Sequence, residues 1–501
     1  MRKIFLAIAA LLVVLVAAVT LAGYFLFSGD AIRTAIEQQA TSWLGQPVRI
    51  GQASVGLFPR ASVRLRDIEV GEPAQVTLAD VQLSTNLGAL LGRRIEDARI
   101  VIADSVIQMP LPFAIPTGDE TTEATQDDGA PAIELVSVSG ISLRDIRITS
   151  RGHEVGVSAD SALAGSRLTL ERFTAESSST SLTVTGEADL EPRIDARLQI
   201  EADRLDLDEL IALAEAFTPE SSGGAGRAGG GSGELPHISA QLSADSATAA
   251  GVELSDLAAD MEVDGDRVRL APLAFGLFDG RYEGTLDARL GETLNLTLDS
   301  RLEGLDVAQL AAFGGSPDSI TGTLSGRGTF TAQGADMAAA LASARGSGSA
   351  AIADGTIQRL GLVRTVVLFF GNPAPDTAAS TNSFERIETA FSLARQVFSA
   401  DSFAMRSRDA DVTGSGTLAL AGKLLDGSVQ LLLSEELSAQ AGSDLSRYTL
   451  ENNRVVLPAR LGGTLDDPRI TIDAASAIKR GLTNEIQRRL RGLFGGGDQE
   501  Q

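Results

Sequence analysis

The side chains able to do chemistry are few, and the types that are missing narrow the choices. The chain holds two histidines, His153 and His237, and no cysteine. A three-histidine metal site cannot be built from them. Disulfides, thiolate ligands and cysteine nucleophiles are excluded. A Ser-His-carboxylate hydrolase would have only these two bases to draw on. His153 follows Arg151-Gly152 in a turn-like stretch and His237 follows Pro236 at a strand start, and neither stands at a fixed spacing from a nucleophile. Asp206 and Asp208 could form an acid–base pair of the kind glycosidases use. Their place at the head of a helical pattern instead suits an N-cap, where a carboxylate accepts free backbone N–H groups. The run Thr218–Glu234 has the glycines of a phosphate loop but lacks its Gly-Lys-Ser/Thr ending. Gly-x-Ser-x-Gly, His-Glu-x-x-His and EF-hand loops are absent from the sequence. These residues predict a protein that is not an enzyme and needs no cofactor or metal.

The chain has 501 residues, with 42 Lys+Arg against 66 Asp+Glu, for a net charge of −24. Nucleic-acid binding depends on neutralising phosphates, so this balance speaks against a nucleic-acid partner. Aromatics make up 4% of the chain, too few for a base-stacking platform. Hydrophobic residues, at 44%, suffice for an extensive core.

The elements that would position a site begin with an uncharged run, Ile4–Phe27. At ~1.5 Å per residue it is long enough to cross a hydrocarbon core. Arg2 and Lys3 precede it, so the positive-inside rule predicts a cytoplasmic N-terminus and a single-pass inner-membrane anchor, with the bulk of the chain outside. Thr20-Leu21-Ala22 would serve as a signal-peptide cleavage site, but Tyr24–Phe27 prolong the apolar run and favour an uncut anchor.

Beyond the anchor, strict alternation dominates. Ile194, Ala196, Leu198, Ile200 and Ala202 alternate with charged or polar neighbours, as do Leu182–Leu190 and Leu294–Leu298. Each run predicts a strand with one apolar and one wet face. Asp-Gly pairs at 264–265, 279–280, 354–355 and 426–427 predict antiparallel hairpins. Two short helices are expected, Glu209–Phe217 after Leu205-Asp206-Leu207 and Ala308–Phe313 after Leu305-Asp306-Val307, each following an alternating strand, as in a repeated module. The expected organisation is an anchor over 1–28, a β region over 29–115 and an acidic linker over 116–131. A β region ending in a short helix covers 132–217, a Gly/Ser-rich linker 218–234, a long β region 235–473 and a basic helix with its tail 474–501. In that last helix Ile478, Leu482, Ile486, Leu490 and Phe494 form a stripe, with Lys479, Arg480, Arg488, Arg489 and Arg491 off it. Such a helix can plug a sheet end or touch an anionic membrane or a partner.

Four stretches together carry a likeness to a known family. They are Gly45–Leu111; Ile238–Leu310, centred on GVELSDLAADMEVDGDRVRLAPLAFGLFDGRYEGTLDARL; Ile320–Leu362, with its Gly-Ser-Gly-Ser strand; and Val455–Asp473, with Gly463, Asp467 and Pro468. In this order they resemble the AsmA family, anchored proteins of the Gram-negative envelope. The resemblance implies a mainly β fold: an N-terminal transmembrane helix, then an elongated, curled antiparallel sheet forming a groove, with a few short helices. It also implies work in outer-membrane biogenesis, with phospholipid or another acyl-chain lipid as the partner carried along the groove. The alternative role is an assembly factor for the targeting or folding of outer-membrane proteins, with an envelope or outer-membrane partner. On the alternating faces, Ile194, Leu198, Ile200, Val263, Leu294, Leu296, Leu298, Leu418 and Leu420 are the candidate groove lining. The same alternation would serve a closed core equally well.

Overall fold

In the computed structural model the described residues are 29–56, 60–86, 94–95, 97–111, 134–135, 138–217, 236–358 except 292, 383–440, and 449–473 except 452. The anchor run Ile4–Phe27, both linkers and the basic helix expected over 474–501 lie outside them. No helix among the described residues is long and apolar enough to cross a membrane. The fold is mainly β with few helices, and it divides after Gly265 into two units.

In the first unit, helix α1 (Gly29–Leu44) is followed by β1 (Val48–Gly56), β2 (Ala61–Val70), β3 (Val76–Thr85), β4 (Ala98–Met109), β5 (Val138–Ser150), β6 (His153–Ala164), β7 (Arg167–Glu176), β8 (Ser181–Asp189) and β9 (Asp195–Asp206). Helix α2 (Leu207–Phe217) leads to β10 (His237–Ala249) and β11 (Val252–Asp264). The strands lie side by side in chain order. Neighbours are antiparallel except at β4–β5 and β9–β10, which are parallel. The expected all-antiparallel sheet fails at these two places for one reason. Each pair is joined by a long connection, residues 110–137 and 207–236, which lets the chain return to the starting end before it pairs again. The two stretches read as linkers therefore fall in the connections that join parallel strands.

In the second unit the strands are β12 (Arg267–Leu277), β13 (Gly280–Arg289), β14 (Leu294–Asp306), β15 (Thr323–Gly334), β16 (Arg345–Thr356), β17 (Ser383–Ala394), β18 (Val397–Arg406), β19 (Ala410–Ala419), β20 (Leu424–Leu433), β21 (Arg454–Gly463) and β22 (Pro468–Ile472). Helices α3 (Val307–Phe313), α4 (Met337–Ser343) and α5 (Glu435–Gln440) sit in the connections. This sheet also follows chain order and is antiparallel throughout. Among the described residues β1 pairs only with β2, and β22 only with β21, so the sheets do not close into barrels.

Both predicted helices form, each one or two residues earlier than expected, and both aspartates cap them. Asp206 Oδ1 accepts the Glu209 N–H at 2.9 Å, and Asp306 Oδ1 accepts those of Ala308 and Gln309 at 2.7 and 3.1 Å. Of the Asp-Gly pairs, 264–265 and 279–280 make turns, whereas 354–355 lies inside β16 and 426–427 inside β20. There the glycine serves close packing: a Cβ at Gly355 would collide with the Thr321 carbonyl and the Phe384 ring.

The alternation is not strict. Asp67, Asp104, Asp145 and Asp256 stand inside strands with φ of 54°, 51°, 53° and 49°. Aspartate tolerates this left-handed region better than most residues. Each interrupts the pleat, so residues three apart, not two, face the same way. Leu65 and Ile68, Ile102 and Ser105, and Leu254 and Leu257 are all buried. Irregularities of this kind bend a strand and increase its twist, which is how a sheet is made to curl.

Candidate functional site

Cross-strand register shows which side chains share a face. In the second unit one row runs Leu270–Leu286–Leu298–Phe330–Gly346–Leu393–Phe398–Leu418–Leu425, from β12 to β20. A second runs Phe275–Tyr282–Leu302–Gly326–Ala350, and a third Leu324–Ile352–Ile387–Met405–Val412–Leu431–Leu457. The face is apolar apart from Ser300 and Thr389, while its reverse carries Arg267, Asp287, Thr297, Asp299, Arg327 and Glu388.

Sequence reasoning missed the aromatic floor of this face. Phe330 and Phe391 have ring centroids 6.4 Å apart, and Phe391 meets Phe398 edge-on at 5.5 Å. The Gly-Ser-Gly-Ser run explains how they fit. Gly346 and Gly348 point to the apolar face, and a Cβ there would overlap the Phe330 and Phe391 rings. The serines between them point to the other side. Phe275 stacks on Tyr282 at 4.4 Å, and burial raises the Tyr282 phenol's pKa while its hydrogen bond with Ser300 (3.2 Å) works against that rise.

The candidate lining residues are placed as follows. Leu294, Leu296 and Leu298 are half-buried on one face of β14, and Leu418 is half-buried on the row of Leu298. In the first unit Leu198 lies between Gly186 and Ala240, Ile200 between Val184 and Leu242, and Val263 opposite Ile238, all on one face. Ile194 stands just before β9, with its carbonyl accepting the His237 N–H at 2.8 Å. Leu420 departs from the expectation. The strand ends at Ala419, and Leu420 is 47% exposed in the turn that follows. Lys479, Arg480, Arg488, Arg489 and Arg491 lie outside the described residues. His153 is exposed at the β5–β6 turn, far along the chain from His237 at the start of β10.

The apolar face of the first unit is spanned at one end by α2. The helix leaves the end of β9. Its first turn meets the β7–β8 turn, where Glu209 accepts hydrogen bonds from Ser177 Oγ (2.7 Å), Ser178 Oγ (2.5 Å) and the Ser179 N–H (3.1 Å). Its last turn meets β5: the buried Ser150 hydroxyl donates to the Ala216 carbonyl at 2.6 Å, and Arg151 donates to that of Glu215 at 3.1 Å. Eleven helical residues cover ~16 Å, whereas the four strand steps from β9 to β5 cover ~19 Å along the sheet. The helix thus runs beside the strand ends from β9 to β5. Burial would raise the Glu209 carboxyl, but the bonds from Ser178, Ser177, Thr180 and the Ser179 N–H outweigh it, and its pKa lies below the ordinary value. A depressed carboxylate stabilises above its unfolded pKa and loses that contribution as pH falls through the folded one. A fluorophore on exposed Ile211 should therefore report loosening of α2 only in acid, below about pH 4.3. Glu209→Gln should show the loosened signal at neutral pH and lose the acid step.

The two sheets differ in how dry their faces are at each end. Leu431, Leu433, Val455 and Leu457 are fully buried, with Phe384, Met405 and Val412 around them. Leu298, Phe330, Phe398 and Leu418 are only half-buried. In the first unit α1 packs Ile36 and Ala40 onto Ile50, Leu65 and Val81, a dry core, while Leu198, Ile200 and Leu242 stay half-buried. The polar faces are laced by exposed pairs such as Arg64–Asp80, Arg267–Asp287 and Arg386–Glu388, in which the guanidinium holds the carboxyl below its usual range. An open depression of about 990 Å³ in the second unit is lined by Arg301, Arg327, Arg386, Ser349 and Thr413 together with Leu302, Ala350 and Phe403.

No curated protein and no solved structure matches this chain. The AsmA family profile matches residues 1–109 and 173–434, more than half of the sequence, with every strand from β1 to β4 and from β8 to β20. The chain with these two open, apolar-faced sheets belongs to the AsmA family.

Proposed function

We propose that the protein is a non-enzymatic, inner-membrane-anchored periplasmic protein of outer-membrane biogenesis that binds or transfers phospholipid along its apolar sheet faces. The observation that carries this reading is the half-buried row of Leu298, Phe330, Phe398 and Leu418. A side chain in a finished core is dry, and these are not. An acyl chain exposed to water costs about 0.8 kcal/mol per methylene, so a dozen methylenes gain much from such a face. A lining of Leu, Phe, Ala and Gly offers no bond that would hold a tail at one place, which suits sliding. Family membership supports a role in the envelope.

The test is site-specific photocrosslinking in cells. Probes at Leu198 and Leu296 should give lipid adducts. Probes at Arg197 and Thr297, on the reverse faces, should give none; Arg197 faces Glu187 there at 3.7 Å. Protein adducts in place of lipid at the leucines would sink the transfer reading and favour the assembly-factor one.

A further inference from the structure

In an antiparallel sheet alternate connections gather at the same end. In the second unit the β13–β14 turn, α4, the β17–β18 turn and the β19–β20 turn therefore form one rim. That rim carries Leu290, Met337, Leu341, Leu420 and Leu424, which are 47 to 62% exposed. Among the described residues they account for most of the exposed large apolar side chains of this unit. Soluble surfaces seldom gather such residues without a use for them.

The rim also completes a gradient. At the other end of the same strands Leu305, Met405, Val412, Leu431 and Leu457 are buried. Nearer the rim, Leu298, Phe330, Phe398 and Leu418 are half-buried, while Leu393 among them is buried. At the rim the apolar side chains reach solvent. The apolar face thus opens progressively toward one edge, and that edge is itself apolar.

Charge singles out the occupant. Arg289, Arg345 and Arg395 stand on this rim, exposed, and none has a carboxylate within ion-pair distance among the described residues. Of the acids described on this rim, Asp287 is held by Arg267, Asp336 caps α4 at the Ala339 N–H (2.7 Å), Asp466 faces Lys423 at 3.8 Å, Asp467 pairs with Arg469 at 2.7 Å, and Asp266 and Asp426 stand exposed at strand starts. Unpaired arginines between protruding leucines, on a chain of net charge −24, suit an anionic lipid surface. We propose that this rim rests on an anionic bilayer and that acyl chains pass sideways across it onto the apolar face. The inference deepens the lipid-binding reading and rests on it for the destination of the tail.

The full chain, reconstituted in zwitterionic vesicles, can test it, because the absence of native cysteine allows single-site labelling. An environment-sensitive fluorophore is placed at Leu341→Cys or Leu424→Cys, and at Phe313→Cys, exposed at the opposite strand end, as the control. Phosphatidylglycerol vesicles carrying a lipid-borne quencher are then added. Quenching is expected at positions 341 and 424 and not at 313. Joint Arg289→Gln, Arg345→Gln and Arg395→Gln substitution should raise the lipid needed for half quenching about tenfold or more. Added salt should act in the same direction. Equal quenching at 313, equal quenching by zwitterionic vesicles, or none at the rim would overturn the proposal. Lipid adducts at Leu296 without rim quenching would leave the groove standing and remove the rim, while quenching without adducts would do the reverse.

Discussion

Leu298→Asp should lower lipid adducts at Leu296 about fifty-fold while the sheet stays folded. Leu298 sits within the longest apolar row and is half-buried, so a carboxylate there can keep water without tearing the sheet apart. That retained water is the effect sought. A tail passing the site would leave about three methylenes solvated, at ~0.8 kcal/mol each, and ~2.4 kcal/mol is roughly fifty-fold in occupancy. Ser347→Asp places the same charge on the reverse face, opposite Thr329 and Ser392. It should leave adducts unchanged. Photocrosslinking yield, with urea unfolding as the folding control, measures both. A loss of adducts in Ser347→Asp would mean that charge anywhere on the sheet acts, and that the apolar face has no special part.

The second large effect is on stability. Gly348→Val should cost about 1–3 kcal/mol or more, read as a lower urea midpoint. A Cβ at 348 would press on the Phe391 ring at 2.8 Å and on the Arg327 carbonyl. A ring tip can move a little, but a paired carbonyl cannot. Ser347→Val, one residue away, faces solvent and gains β-branching, so it should change stability by no more than about 0.5 kcal/mol. The contrast separates a glycine that makes room for an aromatic ring from a glycine that merely tolerates a strand. If both variants unfold at the wild-type midpoint, the aromatic floor is not packed as described.

Much of this architecture was legible in the sequence, and the parts that were not have a common cause. Ile200, Leu242, Leu296 and Leu298 advertise their face because each strand is wet on one side and dry on the other. The caps at Asp206 and Asp306 could be read because an N-cap acts within three residues. Information carried between strands was hidden. The Gly-Ser-Gly-Ser run read as a strand, but why glycine alternates there showed only once Phe330 and Phe391 were seen over it. Asp354-Gly355 and Asp426-Gly427 looked like hairpins because a dipeptide cannot show what its neighbour strand demands. The recurring Leu-x-Asp-Ile and Leu-x-Asp-Leu sets at 65–68, 143–146 and 254–257 did carry a signal. Spacing of three between apolar residues, with aspartate before the second, marks the bulge, but a search for period two passes over it. Leu420 was misplaced for the same reason: alternation continued on paper one step beyond the last paired residue.

Within each unit every strand is laid against the strand that precedes it in the chain, even at the two parallel joints. Such a sheet has low contact order for a β protein, since no strand must wait for a distant one. A chain delivered N-terminus first can therefore add strands in the order they arrive, each on the edge left by the last. The exposed edge of an unfinished sheet is ordinarily a hazard, open to pairing with another molecule. Here the next segment of the same chain is always the nearest claimant. Growth by accretion makes length a free variable: a unit could gain or lose hairpins at its growing edge without redesign of the strands already in place.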